Sequence, residues 1–477
     1  MNTENIILLT PELLIMTLAI VVFSIGIFKP SRSSDFLGRL TSIGVFIIMI
    51  YTCWLLSGKD TDIFGEILAI NTYSTFFKIL LMAIIIGISA ISMTYTKLYN
   101  FNSGEYYGII LLSLVGMMLL VSARELITAY ISIELMSFSL YVLVAFAKND
   151  PKSNEAAIKY ILLGAFSSGL LLYGIVLIYG ISGTTSFAGI ENSILSLNSN
   201  LRVLLALSML GAGLGFKLAI VPFHMWAPDV YEGAPLPITA LISIGSKIAI
   251  FALALTLFSQ TFLPKIELWK PVLSIIAVTT MITGNILAIV QTNIKRLLAY
   301  SSIGQSGYML IGIVCASNLG STGLILHMTG YAATSMLMFS SIVIIHNGVL
   351  SDEIQDYAGI AKRNPLAAIC LTAALLSLAG LPFFAGFTTK FYLFAAAANK
   401  DMLWLAGLAA AASVISLYYY LGVIKEMYVN NPQASTKIRT TKTLTTVIVV
   451  MLISTILIGL YPSPFVDIIE KSVAALG

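Results

Sequence analysis

The chain has 477 residues, of which 58% are hydrophobic and 10% are charged, and its formal net charge is +4. An average soluble domain carries roughly 25% charged residues, so this composition excludes an ordinary soluble enzyme. The mean hydropathy of +0.95, with apolar runs of the roughly 20 residues that cross a bilayer recurring almost end to end, predicts one polytopic membrane domain.

Apolar segments separated by polar residues, Gly or Pro predict 14 spanning helices. They cover residues 6–28, 39–56, 71–95, 106–122, 124–147, 154–181, 201–226, 237–263, 271–292, 297–317, 321–347, 365–398, 402–427 and 443–461. The first segment follows MNTENIILL, which lacks the basic stretch of a cleaved signal peptide, so we expect it to be retained. An even number of spans places both termini on one side.

The loops on the two sides differ in their content of Lys and Arg. The loops on the side opposite the termini contain 14 of these residues, and those on the side of the termini contain 7. Cytoplasmic loops carry the excess of basic residues. The bias predicts a bacterial-type cytoplasmic membrane protein with both termini outside the cytoplasm.

Motifs that hold redox groups, nucleotides or metals are not found in the sequence. The cysteines Cys53, Cys315 and Cys370 are far apart and each lies in an apolar run, unlike a cysteine cluster for zinc or iron and sulfur. Neither GxGxxG, GxxxxGK[ST] nor HExxH occurs. We therefore expect no cofactor or metal in this chain, and no nucleic-acid partner.

Ionisable side chains fall inside several predicted spans, where the bilayer makes them costly and therefore functional candidates. The lysines are Lys78, Lys159, Lys217, Lys247 and Lys390, and one acid, Glu134, is counted with them. Lys78, near the start of its segment, has an equally good reading as a side chain that snorkels to the headgroups. Lys159 lies about one turn after a polar loop, so a position at the membrane interface is the alternative to a functional role. Lys217, Lys247 and Lys390 cannot easily reach water.

A polar stripe follows the fifth predicted span. Tyr130, Glu134, Ser137 and Tyr141 are spaced by 4, 3 and 4 residues, which places them on one helix face. Such a stripe is typical of a hydrated channel wall or of a helix contact made by hydrogen bonds, and a carboxylate on it favours the channel.

The seventh span contains a lysine and a proline in GLGFKLAIVPFHMW. Pro222 cannot donate to the carbonyl of Leu218, so we expect the helix to open one turn from Lys217 and to free backbone acceptors. The alternative is a kink filled by packing, with the lysine paired for stability alone. His224, just past Pro222, would bridge Lys217 to bulk water or cap the broken helix.

Two further lysines extend the series. Lys247 lies on one helix face with Thr239 and Ser243, and Lys390 follows a second proline break, at Pro382, by two turns. Burial penalises the ammonium form, so buried lysines load and release protons. The row predicts a proton relay across the midplane. His327 is considered for its outward half, and His346 is too close to a loop to be assigned a role.

Internal symmetry is faint but consistent. AYISIELMSFSL at 129–140 and AYSSIGQSGYML at 299–310 match at five of twelve positions, and the breaks at Pro222 and Pro382 are each fourth in a set of five segments. Broken helices in corresponding positions of inverted repeats indicate an ion or substrate site. The predicted division is 1–100 (helices 1–3), 106–263 (first repeat), 270–427 (second repeat) and 443–477 (the last helix).

Four long strings carry a resemblance to a known family over nearly the whole chain: GLGFKLAIVPFHMWAPDVYEGAPLP, ELMSFSLYVL, QTNIKRLLAYSSIGQSGYML and SLAGLPFFAGFTTKFYLF. They resemble the antiporter-like membrane subunits of proton-pumping NADH:quinone oxidoreductase, respiratory complex I, in particular its N subunits. The resemblance implies an all-α fold of about 14 transmembrane helices, with two inverted five-helix repeats and discontinuous helices 7 and 12. It also implies that Glu134 pairs with Lys217, that Lys247 is central, that Lys390 lies near the outward half-channel, and that Lys159 matches a sixth-helix lysine.

The resemblance implies a proton-translocating subunit without a redox centre, coupled to quinone reduction in partner subunits that hold the quinone, flavin and iron–sulfur clusters. Its partners would be the other membrane-arm subunits, including the other antiporter-like ones. The rival is a stand-alone cation/proton antiporter. One embedded acid against several lysines favours protons over sodium, because a sodium site needs carboxylate ligands. A passive scaffold would gain nothing from burying a row of lysines.

Overall fold

The computed structural model describes residues 3–28, 34–195, 200–431 and 436–476. Nearly all of these residues are helical, and 13 helices are long and apolar enough to cross a membrane. A further span consists of two 15-residue halves, which gives the 14 spans that the sequence predicts. Lys29 and Arg32, which entered the count of loop charges, lie outside the described residues.

The spans are numbered in chain order, with the letters a and b for the halves of a broken helix. They are α1 (Thr10–Phe28), α2 (Ser34–Leu56), α3 (Thr72–Leu98), α4 (Ser103–Ser122), α5 (Leu126–Val144), α6 (Pro151–Ser182), α7a (Asn200–Leu218), α7b (Trp226–Gly233), α8 (Leu236–Thr261), α9 (Ile266–Ile289), α10 (Ile294–Val314), α11 (Asn318–Val349), α12a (Pro365–Ala379), α12b (Ala385–Asn399), α13 (Leu403–Tyr428) and α14 (Lys442–Leu460). The prediction of discontinuous helices 7 and 12 is confirmed.

Both breaks occur at the predicted prolines. α7a ends at Leu218, and the next residue, Ala219, has a left-handed φ of +53°. α12a ends before Gly380, whose φ is +87°; glycine takes this conformation without the steric cost that a side chain imposes. Since proline has no N–H to donate, neither helix can resume its ladder at once. α7b continues to Gly233, beyond the predicted end at 226.

α8 is a buried helix whose hydrogen-bond ladder changes pitch twice. π-Helical turns occupy Ile242–Ser246 and Leu257–Thr261, and α-helix resumes between them at Lys247. Such turns are rare and occur mostly at functional sites. α8, α10 and α11 are the most deeply buried spans and form the centre of the molecule.

The helices on either side of this centre pack in matching pairs. α4 packs along α5 as α9 packs along α10, and α6 packs along α7a as α11 packs along α12a and α12b. Of the remaining spans, α2 packs on α3, α1 on α4, and α14 on α11 and α12b. The five helices α4–α8 and the five helices α9–α13 thus share one pattern of neighbours.

Short elements cover the ends of the spans. On the side of the termini, here named the terminus face, strands β1 (Thr61–Ile63) and β2 (Leu68–Ile70) form an antiparallel hairpin. Short helices occupy Thr3–Leu8, Phe187–Leu195 and Ile360–Arg363. The helix Ser463–Ala474, which packs on α3 and α11, was not separated from the last span by the sequence reading.

Candidate functional site

Three lysines are buried at the level of the two helix breaks. Lys217 is 6% exposed, Lys247 1% and Lys390 3%. They come from α7a, α8 and α12b, so that the row of lysines crosses the molecule from one set of five helices to the other. Within the described residues, none of the three has a carboxylate partner at ion-pair distance.

The row begins at α5. The ammonium of Lys217 donates to Ser137 Oγ at 2.8 Å and to the hydroxyl of Tyr141 at 3.3 Å, so the polar stripe of α5 does face α7a. The half-buried carboxylate of Glu134 instead accepts a hydrogen bond from Ser168 Oγ at 2.6 Å. The direct Glu134–Lys217 pair implied by the resemblance is absent here, because Ser137, about one turn further along α5, holds the ammonium.

Polar side chains satisfy the backbone groups freed at the first break. The carbonyl of Leu218 accepts a hydrogen bond from Ser306 Oγ at 2.9 Å, and Val221 N donates to Thr280 Oγ1 at 3.0 Å. The indole of Trp226 donates to the Phe216 carbonyl at 2.8 Å. The break is therefore a stable, polar opening in the helix next to Lys217.

Lys247 is held by α10. Its ammonium donates to the carbonyl of Ser302 at 2.9 Å, to Ser302 Oγ at 2.6 Å and to Ser306 Oγ at 2.9 Å. Ser306 also donates to the Leu218 carbonyl. One serine thus joins the central lysine to the residue that follows Lys217 in the chain.

Hydroxyl groups surround Ser302 on its other sides. The hydroxyls of Tyr231 and Tyr331 lie 3.2 Å from Ser302 Oγ, and Ser243 Oγ lies 3.4 Å away. Ser243 and Tyr331 are also joined at 2.7 Å. Ser243 was predicted to share a face with Lys247, whereas the two tyrosines were missed.

Lys390 reaches back to the second break. Its ammonium donates to the Leu378 carbonyl at 2.8 Å and to Ser413 Oγ at 2.8 Å, and it lies 4.4 Å from the centre of the Tyr308 ring. Gln305 Nε2 approaches the same Leu378 carbonyl at 3.3 Å. Gln305 is on α10, between Ser302, which holds Lys247, and Tyr308, which lies beside Lys390.

α10 therefore connects the lysines, and the sequence reading assigned it no role. Its signal was present in the string LLAYSSIGQSGYML, where Ser302, Gln305 and Ser306 recur at helical spacing. It is weak, since a serine in a spanning helix often bonds to its own backbone, as Ser340 does to Met336.

The histidines lie beside the row. His327 Nδ1 is 2.8 Å from Thr389 Oγ1, and no hydrogen-bond partner of its Nε2 is found among the described residues. Thr388, two residues before Lys390, bonds to the Gly459 carbonyl. His224 is buried in the first break, where its Nδ1 finds no partner in the described part of the chain and its ring makes no hydrogen bond to Lys217. Neither histidine contacts a lysine of the row through a hydrogen bond.

Lys159 lies outside the row. Its side chain is 43% exposed and forms ion pairs with Glu155 at 2.8 Å and Asp229 at 2.7 Å. Arg296 binds Asp229 as well, at 2.8 Å. Lys159 belongs to an ion-pair network at the face opposite the termini, here named the opposite face, because the helix start places it within reach of water.

Lys78 resolves an alternative that the sequence left open, and its partner corrects the count of embedded acids. It is fully buried and does not snorkel, and its ammonium lies 2.7 Å from Glu12 of α1. Glu12 is therefore a second embedded acid, overlooked because it lies two residues into its helix. Apart from the pair itself, neither charged group has a hydrogen-bond partner among the described residues.

The site offers amines, hydroxyls, an amide and backbone carbonyls, and no cluster of three or more His, Cys, Asp or Glu side chains able to hold a metal occurs in the described ranges. Amines and hydroxyls bind and pass protons. Hydrogen bonds connect Lys247 through Ser306 to the carbonyl of Leu218, the residue after Lys217, whereas the Lys217 ammonium itself bonds to Ser137 and Tyr141. Gln305 bonds to the Leu378 carbonyl that also accepts from Lys390.

Comparison with known proteins gives concordant matches. Residues 123–416 match the family described as NADH:quinone oxidoreductase/Mrp antiporter, TM. The NADH-quinone oxidoreductase subunit N of Desulforamulus reducens is 40% identical over 464 residues, 97% of each chain. A chain of respiratory complex I from Thermus thermophilus superposes with a TM-score of 0.79 at 27% identity, covering 96% of this chain and 98% of that one. A chain of the Mrp complex from Dietzia sp. shares the fold, with a TM-score of 0.83 at 20% identity over 100% of this chain and 98% of its own.

Proposed function

Since this chain belongs to the NADH:quinone oxidoreductase/Mrp antiporter family, among the N subunits, we propose that it is a proton-translocating membrane-arm subunit of a complex I-type NADH:quinone oxidoreductase. The observation that carries the proposal is the buried row Lys217, Lys247 and Lys390, joined through α10. Three lysines without acidic partners would be a costly way to stabilise a helical bundle. Proton transfer would explain why these buried lysines are present despite their cost.

We infer that protons pass along the row of lysines. A neutral amine on Lys247 accepts a proton, and the Ser306 hydroxyl, which contacts both Lys247 and the Leu218 carbonyl beside Lys217, lies on the way. From Lys247 the path continues past Gln305 to Lys390 at the second break. Each lysine is buried, so that a charge on one disfavours a charge on the next.

Glu134 supplies the input. A carboxylate and an ammonium about 4 Å apart attract by roughly 4 kcal/mol at an effective dielectric constant near 20, which equals about three orders of magnitude in proton affinity. The structure corresponds to the open state, in which Ser168 holds Glu134 and Ser137 holds Lys217. Closing the pair would load Lys217, and opening it would drive the proton toward Lys247.

The energy would come from partner subunits. In this proposal, electron transfer to quinone occurs in chains that hold the flavin, the iron–sulfur clusters and the quinone site, and it shifts the charge near Glu134. This chain contributes no redox centre. The other antiporter-like subunits are its neighbours in the membrane arm, as the multi-subunit complexes that contain the similar folds suggest.

The orientation and the internal division are part of the proposal. The opposite face, where Lys159, Asp229 and Arg296 meet, would be cytoplasmic, with both termini outside a bacterial-type cytoplasmic membrane. The repeats would comprise residues 106–263 and 270–427, as the matching pairs of helices suggest. Helices 1–3 (1–100) and the last segment (443–477) would flank them.

The rival function is cation/proton exchange without electron input. A sodium site requires several free oxygen ligands, preferably carboxylates. The second embedded acid, Glu12, is already paired with Lys78, so that Glu134 is the acid left near the row. Protons remain the favoured ion.

The test is proton pumping by the assembled complex in inside-out vesicles. Lys217→Met and Glu134→Gln should each abolish pumping, while Lys362→Met, at an exposed position near the end of a short helix, should pump normally. Wild-type pumping by both Lys217→Met and Glu134→Gln would refute the relay. Purification of the tagged chain in mild detergent addresses the rival: recovery alone, without flavin or iron, would favour the antiporter.

A further inference from the structure

A second polar chain leads from the opposite face toward Lys247, apart from the Lys159 network. It consists of Tyr99 at the end of α3, His346 in the last turn of α11, Asp352 in the following loop and Lys295 at the start of α10. The sequence reading set His346 aside, and the relay described above does not use it. The inference rests on the proposed function.

His346 is buried with both ring nitrogens in contact. Its Nε2 lies 2.7 Å from the hydroxyl of Tyr99, and its Nδ1 lies 2.9 Å from Asp352 Oδ1. The ring stacks on Tyr99, with centroids 6.2 Å apart. An imidazole with one donor or acceptor on each side is placed to take a proton at one nitrogen and release it at the other.

Asp352 is shared between two basic side chains, Lys295 and His346. Its Oδ2 lies 3.4 Å from the ammonium of Lys295, which is 5% exposed. Burial alone would raise the pKa of Asp352, but Lys295 and His346 hold it at about 2. The carboxylate is therefore ionised at every physiological pH. When His346 takes up a proton, Asp352 faces a second positive charge, and its attraction for Lys295 weakens.

The outer end of the chain reaches solvent. Tyr99 lines an open cavity of about 480 Å³ at the opposite face, together with Glu105 in the first turn of α4 and with Lys148 and Asp150 of the α5–α6 loop. A histidine–aspartate pair that only stabilised the fold would not need a tyrosine hydroxyl between its imidazole and such a cavity.

The inner end of the chain points toward the central lysine. Lys295 Nζ donates to the carbonyl of Ala234 at 2.9 Å, and Thr239 Oγ1 lies 3.5 Å from the same oxygen. Lys295 and Ser302 are seven residues apart on α10, so they share a face about 10 Å apart along the axis. Thr239 and Lys247 are eight residues apart on α8, and the π turn between them adds one residue to the turn, so that they too lie near one face at a similar separation.

We propose that His346 is the proton-collecting residue of an uptake route from the opposite face, in which Asp352 and Lys295 pass the charge to the hydroxyl cluster that holds Lys247. Tyr99 gives its hydroxyl proton to His346 Nε2 and regains one from water in the cavity. Lys295, released from Asp352, donates a proton to the cluster around Ser302. The resulting amine then takes the proton of His346 through Asp352, so that one proton enters for each that leaves.

The test uses the assembled complex in inside-out vesicles, with assembly verified on native gels. Proton pumping is measured in His346→Gln, Asp352→Asn and His346→Ala, the last with and without imidazole in the medium on the side of the cavity. Lys362→Met, at an exposed position outside both chains, is the control, and Lys217→Met reports on the relay itself.

We expect His346→Gln to pump at least fivefold more slowly than the wild type, and imidazole to restore part of the pumping of His346→Ala. The charged or titratable groups that face His346 are Tyr95 and Tyr99 from α3, Lys295 from α10 and Asp352 from the loop. His346→Gln removes the imidazole that joins Tyr99 to Asp352, so the pH profile of pumping should differ between this variant and the wild type.

Normal pumping by His346→Gln and Asp352→Asn would overturn the uptake route. So would a loss that is equal at every pH and is not rescued by imidazole, since it would show a structural role. If Lys217→Met also pumps normally, the proposed function itself fails. If Lys217→Met is inactive while the His346 variants are normal, the uptake route alone is wrong.

Discussion

At the scale of single residues, Ser306 has more consequence than its chemistry suggests. It is the one side chain among those described that hydrogen-bonds both to Lys247 and to the carbonyl freed at the first break. A hydroxyl both donates and accepts hydrogen bonds, so it can accept one proton while it donates another and remain a neutral hydroxyl. Replacing it tests whether the lysines are coupled through α10.

Ser306→Ala removes this hydroxyl and leaves the lysines in place. We expect proton pumping to fall about tenfold, since losing a hydrogen bond to a charged group costs roughly 1.5–3 kcal/mol. Ser306→Thr, which keeps the hydroxyl, should retain most of the activity. Ser340→Ala is the matched control, because Ser340 bonds only within α11. Equal pumping by the alanine variants at 306 and 340 would contradict the coupling.

Asp352 gives a prediction for acid stability. Its pKa is lowered from 3.8 to about 2 in the folded protein, although burial opposes this, because Lys295 and His346 stabilise the carboxylate. Because the pKa of Asp352 is lower in the folded than in the unfolded protein, the ionised carboxylate adds on the order of 2 kcal/mol to the free energy of unfolding above pH 4. This contribution is lost as the pH falls from about 4 to 2.

Thermal unfolding of the detergent-solubilised complex checks this expectation. The melting temperature of Asp352→Asn should be lower than that of the wild type at pH 6, and the gap should narrow as the pH falls from 5 toward 3. Asp401→Asn, at an exposed turn, should show no gap. A gap that stays constant with pH would show that the ion pair with Lys295 is not its cause.

At the scale of helices, the sequence predicts what the bilayer dictates. Span lengths follow from the thickness to be crossed, and the breaks at Pro222 and Pro382 follow from the missing N–H groups. The stripe on α5 also predicted the correct face, since Ser137 and Tyr141 contact Lys217. Which residue of the stripe lies nearest to Lys217 depends on how α5 and α7a are rotated relative to each other. No local sequence pattern specifies this rotation.

The N-terminal helices show the same limit. Sequence position alone left open whether Lys78 would reach water, and tertiary packing buries it against Glu12. The position of a residue within its own helix does not reveal which helices will cover it. α1 therefore supplies a partner that could not be predicted without the contact between α1 and α3.

Lys78 and Glu12 support a double-mutant test of helix packing. Lys78→Met alone should destabilise the protein by about 3–5 kcal/mol, because it leaves a buried carboxylate without its counterion. Combining it with Glu12→Leu should restore most of the loss, since an apolar pair replaces a dry ion pair at little cost. Thermal unfolding in detergent measures both. No recovery in the double variant would indicate that the charges serve a purpose beyond pairing.

At the scale of the whole molecule, the buried row of lysines lowers the stability of the fold. Lys217, Lys247 and Lys390 occupy the level of the breaks, where apolar side chains would pack more favourably. Natural proteins often give up stability at functional sites. Function and stability should therefore respond in opposite directions to the same change.

Lys390→Met tests this opposition. Pumping should be lost, while the melting temperature of the assembled complex should stay within a few degrees of the wild-type value or rise. The control is Lys400→Met, at the end of the same span, which should change neither. A steep fall in melting temperature would show that the hydrogen bonds of Lys390 to Leu378 and Ser413 serve mainly to hold the break together.

The π turn that precedes Lys247 makes the position of this lysine depend on a count of residues. A π turn contains one residue more than the α turn it interrupts, so the rest of α8 is rotated by about 100° relative to an uninterrupted helix. Deleting one residue within Ile242–Ser246 would leave the composition almost unchanged and turn Lys247 away from Ser302 and Ser306. The centre of the relay is thus specified by an insertion as much as by the identity of its lysine.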